Sequence, residues 1–166
     1  KIVFAGVGNT DKEIAYSLDA GIFCFNVESV PEAEAIERLA AERDIADKFQ
    51  FTGFLRGKQV YEMLKSSDVY MMPSVSEPFG ISPLEAMQVG VPSIISKQSG
   101  CAEILNNVVK TDYWDVDAMA DAVYSIITYP AMYTHMKEEG IREVNEIKWE
   151  YAGQKVIDIY RKVMKW

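Results

Sequence analysis

The sequence predicts an α/β fold, a doubly wound parallel sheet with helices on both faces. Short apolar runs alternate along the chain with longer stretches of helical periodicity, and connections of a few residues join them. One run, Asp68–Pro73, is almost wholly apolar, as is typical of a central parallel strand covered on both faces. With 166 residues, 49% of them hydrophobic, the chain is long enough to bury one core. We therefore expect a single domain over 1–166.

Six short apolar segments bounded by turn residues predict about six strands. They are Ile2–Ala5, Ile22–Val27, Phe49–Gly53, Asp68–Pro73, Pro92–Ser96 and Val108–Val109. Helical periodicity or start signals predict helices, including extra C-terminal ones, between and after these strands. They are Asp11–Ala20, Glu32–Glu42, Gly57–Ser66, Pro83–Val89, Cys101–Asn106, Asp115–Thr128, Ala131–Ile147 and Trp149–Val163. Gly140 could interrupt the seventh of these helices.

Charge and cysteine usage exclude several classes of partner. The net charge of −8 argues against nucleic acid and against an anionic membrane surface, because both require a basic patch. No apolar stretch is long enough to span a bilayer, and no signal peptide is recognised. Cys24 and Cys101 are not spaced as a metal-binding pair, so two free thiols in a reducing compartment are expected. We expect a cytoplasmic protein without a metal site.

The segment Glu77–Glu85, with the sequence EPFGISPLE, carries the main functional signal. Gly80 permits a tight bend, Ser82 can cap a helix, and Pro83 suits a first helical position. A strand end, a glycine turn and a helix start form an anion site, because unpaired N–H groups point at the ligand. The carboxylates of Glu77 and Glu85 can accept hydroxyl hydrogens. Together these features predict a sugar nucleotide as ligand.

Two motifs have structural alternatives. Ser82 and Glu85 also have capping-box spacing, which stabilises a helix by about 1 kcal/mol, whereas Glu77 has no evident capping role. Gly6-Val7-Gly8 suggests a dinucleotide-binding turn, but the third glycine of that motif would fall at Asp11. We interpret Gly6-Val7-Gly8 as a tight strand–helix turn.

From about residue 40 to the end, the chain resembles the C-terminal domain of retaining GT-B glycosyltransferases, often called family 4. The matching stretches occur in the family's order. They are Phe51–Phe54, Ser67–Ser74, Glu77–Glu85, Gly90–Ile95 and Ser99–Ile104. The resemblance implies a Rossmann-like domain that binds a nucleotide-sugar donor, with no metal or cofactor.

The resemblance also implies a role for each matching residue. Glu77 would face the donor sugar hydroxyls at the catalytic position, and Glu85 would accept hydrogen bonds from the ribose hydroxyls. The sugar and the distal phosphate would be held by backbone amides, those of Phe79, Gly80, Ile81 and Ser82. Phe54 and Leu55 lie where the family's base-binding loop would be.

Residues 1–37 do not show the family's pattern. After its first strand the family has an Arg and a Lys that hold the donor diphosphate. At the corresponding positions this chain has Ala5–Ile14, with the sequence AGVGNTDKEI. Phe4–Gly8 and Ala20–Ser29 instead resemble a βαβ piece of the diaminopimelate decarboxylase barrel. That family's cofactor lysine is not in this piece, so we expect no pyridoxal phosphate. Two resemblances that meet between residues 30 and 42 suggest a recombined or computationally generated chain.

These observations favour a stand-alone scaffold derived from a glycosyltransferase donor-binding domain, without turnover of its own. The alternatives are a weak nucleotide-sugar binding module and part of a retaining glycosyltransferase. The C-terminal aromatic residues Trp149, Tyr151, Tyr160 and Trp166 are expected to pack on the domain's own sheet. If they are exposed instead, they form an interaction surface. We accordingly expect a monomer or a weak homodimer that pairs through its C-terminal helices.

Overall fold

The computed structural model describes residues 2–5, 11–12, 15, 24–26, 30–42, 44, 46–48, 52 and 54–164. Five strands in this part of the chain form one sheet. They are β1 (Ile2–Ala5), β2 (Cys24–Asn26), β3 (Val69–Met72), β4 (Ser93–Ser96) and β5 (Val109–Thr111). The strand order is β2-β1-β3-β4-β5, and every neighbouring pair is parallel. The predicted parallel α/β sheet is therefore confirmed.

Six α-helices are described in full. They are α1 (Val30–Glu42), α2 (Lys58–Lys65), α3 (Ser82–Gln88), α4 (Val116–Thr128), α5 (Pro130–Glu146) and α6 (Trp149–Met164). Short 3-10 turns occupy Ala46–Lys48 and Gly100–Glu103, the second of them where a short α-helix was expected. The described residues of the predicted first helix, at 11, 12 and 15, are helical. The predicted strand Phe49–Gly53 lies outside the described residues apart from Thr52.

The strand order reverses between β1 and β3. The chain steps from β1 outward to β2 and then returns to the other side of β1 to form β3, β4 and β5. In an open α/β sheet, a crevice opens beyond the carboxyl ends of the strands at such a reversal, and ligands bind there. The connection from β3 to α3, residues 73–81, leaves the sheet at this edge.

Both faces of the sheet are covered by helices. Every residue of β3 and β4 is buried, as the apolar runs predicted. Alternate residues point to opposite faces, so Val69 and Met71 pack with α1 and α4, while Tyr70 and Met72 pack with α2 and α3. The central strands therefore separate two hydrophobic layers.

Helix α5 lies against α3, and Gly140 of α5 faces Met87 of α3. A Cβ atom at Gly140 would lie 3.5 Å from Met87 Cε, in ordinary contact. The helix runs from Pro130 to Glu146 without a break, so Gly140 does not interrupt it.

Glu143 of α5 clamps the loop before β5. One carboxylate oxygen accepts from the backbone and side-chain amides of Asn106, at 2.7 and 3.0 Å, and the other from those of Asn107, at 2.8 and 3.0 Å. Partial burial alone would raise the pKa of the Glu143 carboxyl, but these four hydrogen bonds lower it below its ordinary value. The clamp fixes the edge of the sheet to the helix layer.

The expectation that the C-terminal aromatics pack on the sheet is wrong for those that are described. Trp149 is 89% exposed, and Tyr151 and Tyr160 are 60% and 62% exposed. No residue of α6 is buried. A physical reason is that α1, α2, α3 and α4 already pack on the two faces of the central strands β3 and β4. Trp166 lies outside the described residues.

Candidate functional site at the β3–α3 connection

The loop that follows β3 is fixed to the turn that follows β4 by backbone hydrogen bonds. Glu77 forms a parallel bridge with Ser99, and its carbonyl oxygen accepts from the Gly100 N–H at 2.9 Å. The Phe79 carbonyl oxygen accepts from the Cys101 N–H at 2.7 Å. These bonds extend the β3–β4 pairing past the end of the sheet and hold residues 77–79 at the crevice.

Two glycines make this arrangement sterically feasible. Gly80 has φ = +85°, a left-handed conformation that favours glycine, and a Cβ atom there would lie 2.9 Å from Met72 Cε. At Gly100 a Cβ atom would lie only 2.1 Å from the Pro78 carbonyl oxygen. The tight bend that the sequence predicted at Gly80 is therefore present, and Gly100 is a second requirement that the motif did not indicate.

The Glu77 side chain folds back on its own loop. It is half-buried, and its Oε1 atom accepts from the Phe79 N–H at 3.3 Å. The Phe79 amide, one of the predicted phosphate donors, therefore points at this carboxylate. The amides of Gly80 and Ile81 donate to no acceptor within the part of the chain that the structure describes. Ile81 is exposed, so its unpaired amide is open to a ligand, whereas Gly80, which carries the other unpaired amide, is buried.

Ser82 does not cap α3, which corrects the capping-box alternative. The helix begins at Ser82, its N-cap residue is Ile81, and no side chain caps it. The Tyr70 hydroxyl lies 2.7 Å from Ser82 Oγ. Burial raises the pKa of the Tyr70 phenol far above its ordinary value, so the phenol stays protonated and its O–H donates a hydrogen bond to Ser82 Oγ. A buried hydroxyl needs a partner, and Ser82 supplies it.

Tyr70 was not among the residues predicted to take part in the site. Its position in a strand that is buried on both faces was the available signal, because a phenol there must find a polar partner.

Glu85 lies in the first turn of α3 and is exposed. A carboxylate there interacts favourably with the positive end of the helix dipole. Glu77 lies in the connection before the bend at Gly80, and Glu85 lies in the helix turn after it, so the two predicted carboxylates flank the bend. The arrangement can offer two carboxylates to hydroxyl groups and the open Ile81 amide to an anion.

Phe54 and Leu55 precede α2. Phe54 is 83% exposed, and Leu55 is half-buried. The Arg56 guanidinium lies 5.0 Å from the centre of the Phe54 ring, a cation–π contact. Among the described residues, the cation–π partner of Phe54 is therefore Arg56, and no residue of 77–85 forms a ring contact with it.

Cys101 lies beneath the loop and is fully buried, 3.5 Å from Ser99 Oγ. Burial raises the pKa of this free thiol above its ordinary value. No group of three His, Cys, Asp or Glu side chains that could hold a metal occurs in the described part of the chain. Of the helices described, none is both long and apolar enough to cross a membrane.

Known proteins show which family and which folds this chain is similar to. The family model for Glycosyl transferases group 1 matches residues 1–143. An uncharacterized glycosyltransferase of Methanocaldococcus jannaschii is 29% identical over 135 residues, which cover 78% of this chain and 34% of that protein. The crystal structure of Alr3699/HepE of Anabaena in complex with UDP-glucose matches with a TM-score of 0.76 and 14% identity, over 97% of this chain and 48% of HepE. The chain thus spans less than half of either protein.

A second relative matches only a short stretch of the chain. Diaminopimelate decarboxylase of Bacteroides thetaiotaomicron is 64% identical over 44 residues, which are 26% of this chain and 11% of that enzyme. This match supports the resemblance noted for residues 1–37. The glycosyltransferase family match nevertheless also includes that segment.

Proposed function

Since the chain belongs to the family Glycosyl transferases group 1, we propose that it is a donor-binding domain that holds a nucleoside diphosphate sugar at the β3–α3 connection. The observation that carries the proposal is the placement of Glu77, the bend at Gly80 and Glu85 at the edge of the sheet where the strand order reverses. The likeness in fold to HepE, which was solved with UDP-glucose, supports the same ligand class.

Each part of the connection suits one part of such a ligand. The exposed Glu85 carboxylate can accept two hydrogen bonds from the ribose hydroxyls, and Glu77 can accept from the sugar. The unpaired amide of Ile81 can donate to a phosphate oxygen. Phe54, which is exposed, can stack on the base. The Ser82 amide, also expected to contribute, has no acceptor among the described residues, and the Phe79 amide would add a donor after a small rearrangement of the Glu77 side chain.

The electrostatics of the site predict weak binding. The chain carries a net charge of −8, and the two carboxylates repel a diphosphate. Residues 5–14 contain no Arg, and their single Lys, Lys12, is followed directly by Glu13 in place of the family's Lys-Gly pair. We expect a dissociation constant in roughly the millimolar range, which corresponds to about −4 kcal/mol.

A titration followed by NMR chemical shifts tests the proposal. UDP, GDP, ADP and their glucose conjugates are added to the wild-type chain, to Glu85→Gln and to Glu138→Gln. Glu138 is an exposed carboxylate of α5, so its variant is a control for the loss of one negative charge. We expect saturable shifts with one nucleotide, weakened in Glu85→Gln and retained in Glu138→Gln. A folded wild-type chain that shows no shifts at several millimolar ligand would overturn the proposal and leave a scaffold without a ligand.

Sugar transfer with retention of configuration is the second candidate, and membership of the family favours it. In this case Glu77 would contact the reacting sugar. Release of nucleoside diphosphate from the donor, lost in Glu77→Gln, would support turnover. The absence of release in a chain that binds the donor would restrict the function to binding.

We also infer that the chain joins segments of two ancestries, as the short diaminopimelate decarboxylase match suggests. Both parents are built from right-handed β-α-β units, so one unit can replace another where the apolar faces agree. A natural gene that encodes this joint would contradict a computational origin and leave natural recombination.

A further inference from the structure

Helix α6 presents a continuous apolar face to solvent. With 3.6 residues per turn, its apolar and small residues fall within an arc of about 160°. They are Trp149, Ala152, Gly153, Val156, Ile157, Ile159, Tyr160, Val163 and Met164. All of them are exposed, from 46% for Ile157 to 89% for Trp149 among the large side chains. The charged residues of α6, together with Tyr151, lie on the remaining arc.

The size of this face is close to what a protein interface needs. At these exposures the seven large side chains present on the order of 700 Å² of apolar surface, given that an aromatic side chain alone buries roughly 150–250 Å². A standard interface buries about 800 Å² per partner, and patches above a few hundred Å² mark interaction sites. The α6 face is therefore sufficient for a weak dimer.

The distribution of charge and size along α6 fits a second copy in antiparallel orientation. Glu150 near the start and Arg161 near the end flank the same edge of the apolar face. When two such helices pair antiparallel, Glu150 of each lies opposite Arg161 of the other. The same register brings Tyr160 to within two residues, about 3 Å along the helix axis, of Gly153 of the second copy, where a Cβ atom would meet nothing within 4 Å. A large side chain thus faces an open, small position.

We propose that the chain forms a symmetric homodimer through the apolar face of α6, with the two helices antiparallel. The interface is isologous, as expected for a twofold dimer. Val156 lies next to the twofold axis, where each copy contacts its own equivalent, and the ion pairs between Glu150 and Arg161 lie at the rim.

Sedimentation equilibrium of the full chain at ten to several hundred micromolar tests the proposal. Val156→Glu places a charge at the centre of the face, and we expect it to lower the association constant more than tenfold. Tyr151→Glu is the matched control, since it makes a comparable apolar-to-acidic change on the opposite side of the helix and should leave association intact. All three proteins should have the same circular dichroism, because neither residue is buried.

Charge reversal tests the orientation. Glu150→Arg and Arg161→Glu should each weaken association severalfold, and the double reversal should restore it. A wild-type chain that stays monomeric up to several hundred micromolar would overturn the proposal, whether the apolar face of α6 is then exposed to solvent or packs on another surface. Association that survives Val156→Glu would also overturn it, because the interface would lie elsewhere. A double reversal that does not recover would refute the antiparallel register.

Discussion

Replacement of Gly100 by alanine should detach the site loop from the sheet edge. The added Cβ atom would lie 2.1 Å from the Pro78 carbonyl oxygen, 2.8 Å from its carbon and 3.1 Å from Phe79 Cα. An unstrained carbon–oxygen contact needs about 3.3 Å, so the two segments must separate by roughly 1.2 Å. Backbone atoms, and not a flexible side chain, oppose the new methyl group. The separation therefore has to come from the main chain.

The cost follows from the bonds that this movement breaks. The Gly100 N–H to Glu77 bond is 2.9 Å long and the Cys101 N–H to Phe79 bond is 2.7 Å long, and both would exceed hydrogen-bonding distance. Two hydrogen bonds at about 1 kcal/mol each, and overpacking of about 1–3 kcal/mol, give a loss of about 3–5 kcal/mol in the free energy of unfolding. For a chain of this length, the melting temperature would fall by roughly 10 °C.

Urea unfolding followed by circular dichroism measures this loss. The matched control is Gly153→Ala in α6, where a Cβ atom meets nothing within 4 Å. The same chemical change there should stabilise the helix by about 0.5–1 kcal/mol, because alanine has the higher helix propensity. Steric overlap at Gly100 would be refuted by a loss of less than about 1 kcal/mol in Gly100→Ala, or by shifts of the same amount and sign in both variants.

Three further predictions concern the surroundings of the site. Glu143→Gln should lower the free energy of unfolding by about 2 kcal/mol, because an amide cannot accept all four hydrogen bonds of the clamp. The control Glu139→Gln removes only a surface ion pair and should lower it by less than about 0.5 kcal/mol. Because the folded-state pKa of Glu143 is lowered, its stabilisation is present above the unfolded-state value of about 4.5 and is lost as the pH falls through the folded-state value; urea midpoints between pH 7 and pH 3 should therefore converge for wild type and Glu143→Gln. In a Cys24→Ser background, Cys101 should react with a thiol reagent at least a hundredfold more slowly in the native chain than in urea, and fast native labelling would contradict its burial. Asp115→Ala removes the N-cap hydrogen bond of α4 and should cost about 1 kcal/mol in thermal unfolding; an unchanged melting temperature would show that the cap contributes nothing.

Periodicity and turn residues predicted most of the fold because local sequence determines those features. The apolar run at β3 predicted a strand buried on both faces. Five apolar residues of α4 recur at helical spacing; four of them are buried, Met119, Ala122, Val123 and Ile126, whereas Ile127 is 54% exposed. The bend at Gly80 was also predictable, since a positive φ angle favours glycine.

Long-range contacts were not predictable from local patterns. The contact of Tyr70 with Ser82 joins residues twelve positions apart and replaces the expected capping box. The requirement at Gly100 arises only because the loop after β3 crosses the turn after β4. The exposure of α6 depends on which surfaces other helices have already covered, and amphipathicity alone does not decide that.

The hydrogen bonds that fix the site loop use main-chain atoms of Glu77, Phe79, Gly100 and Cys101. Apart from the bond between the Glu77 carboxylate and the Phe79 N–H, the shape of the loop therefore depends little on which side chains stand at positions 77 and 79. New side chains there could change the ligand without rebuilding the backbone, and such variants should fold. The connection can thus serve as a platform for altered specificity, in evolution or in the laboratory, provided that the two glycines are kept.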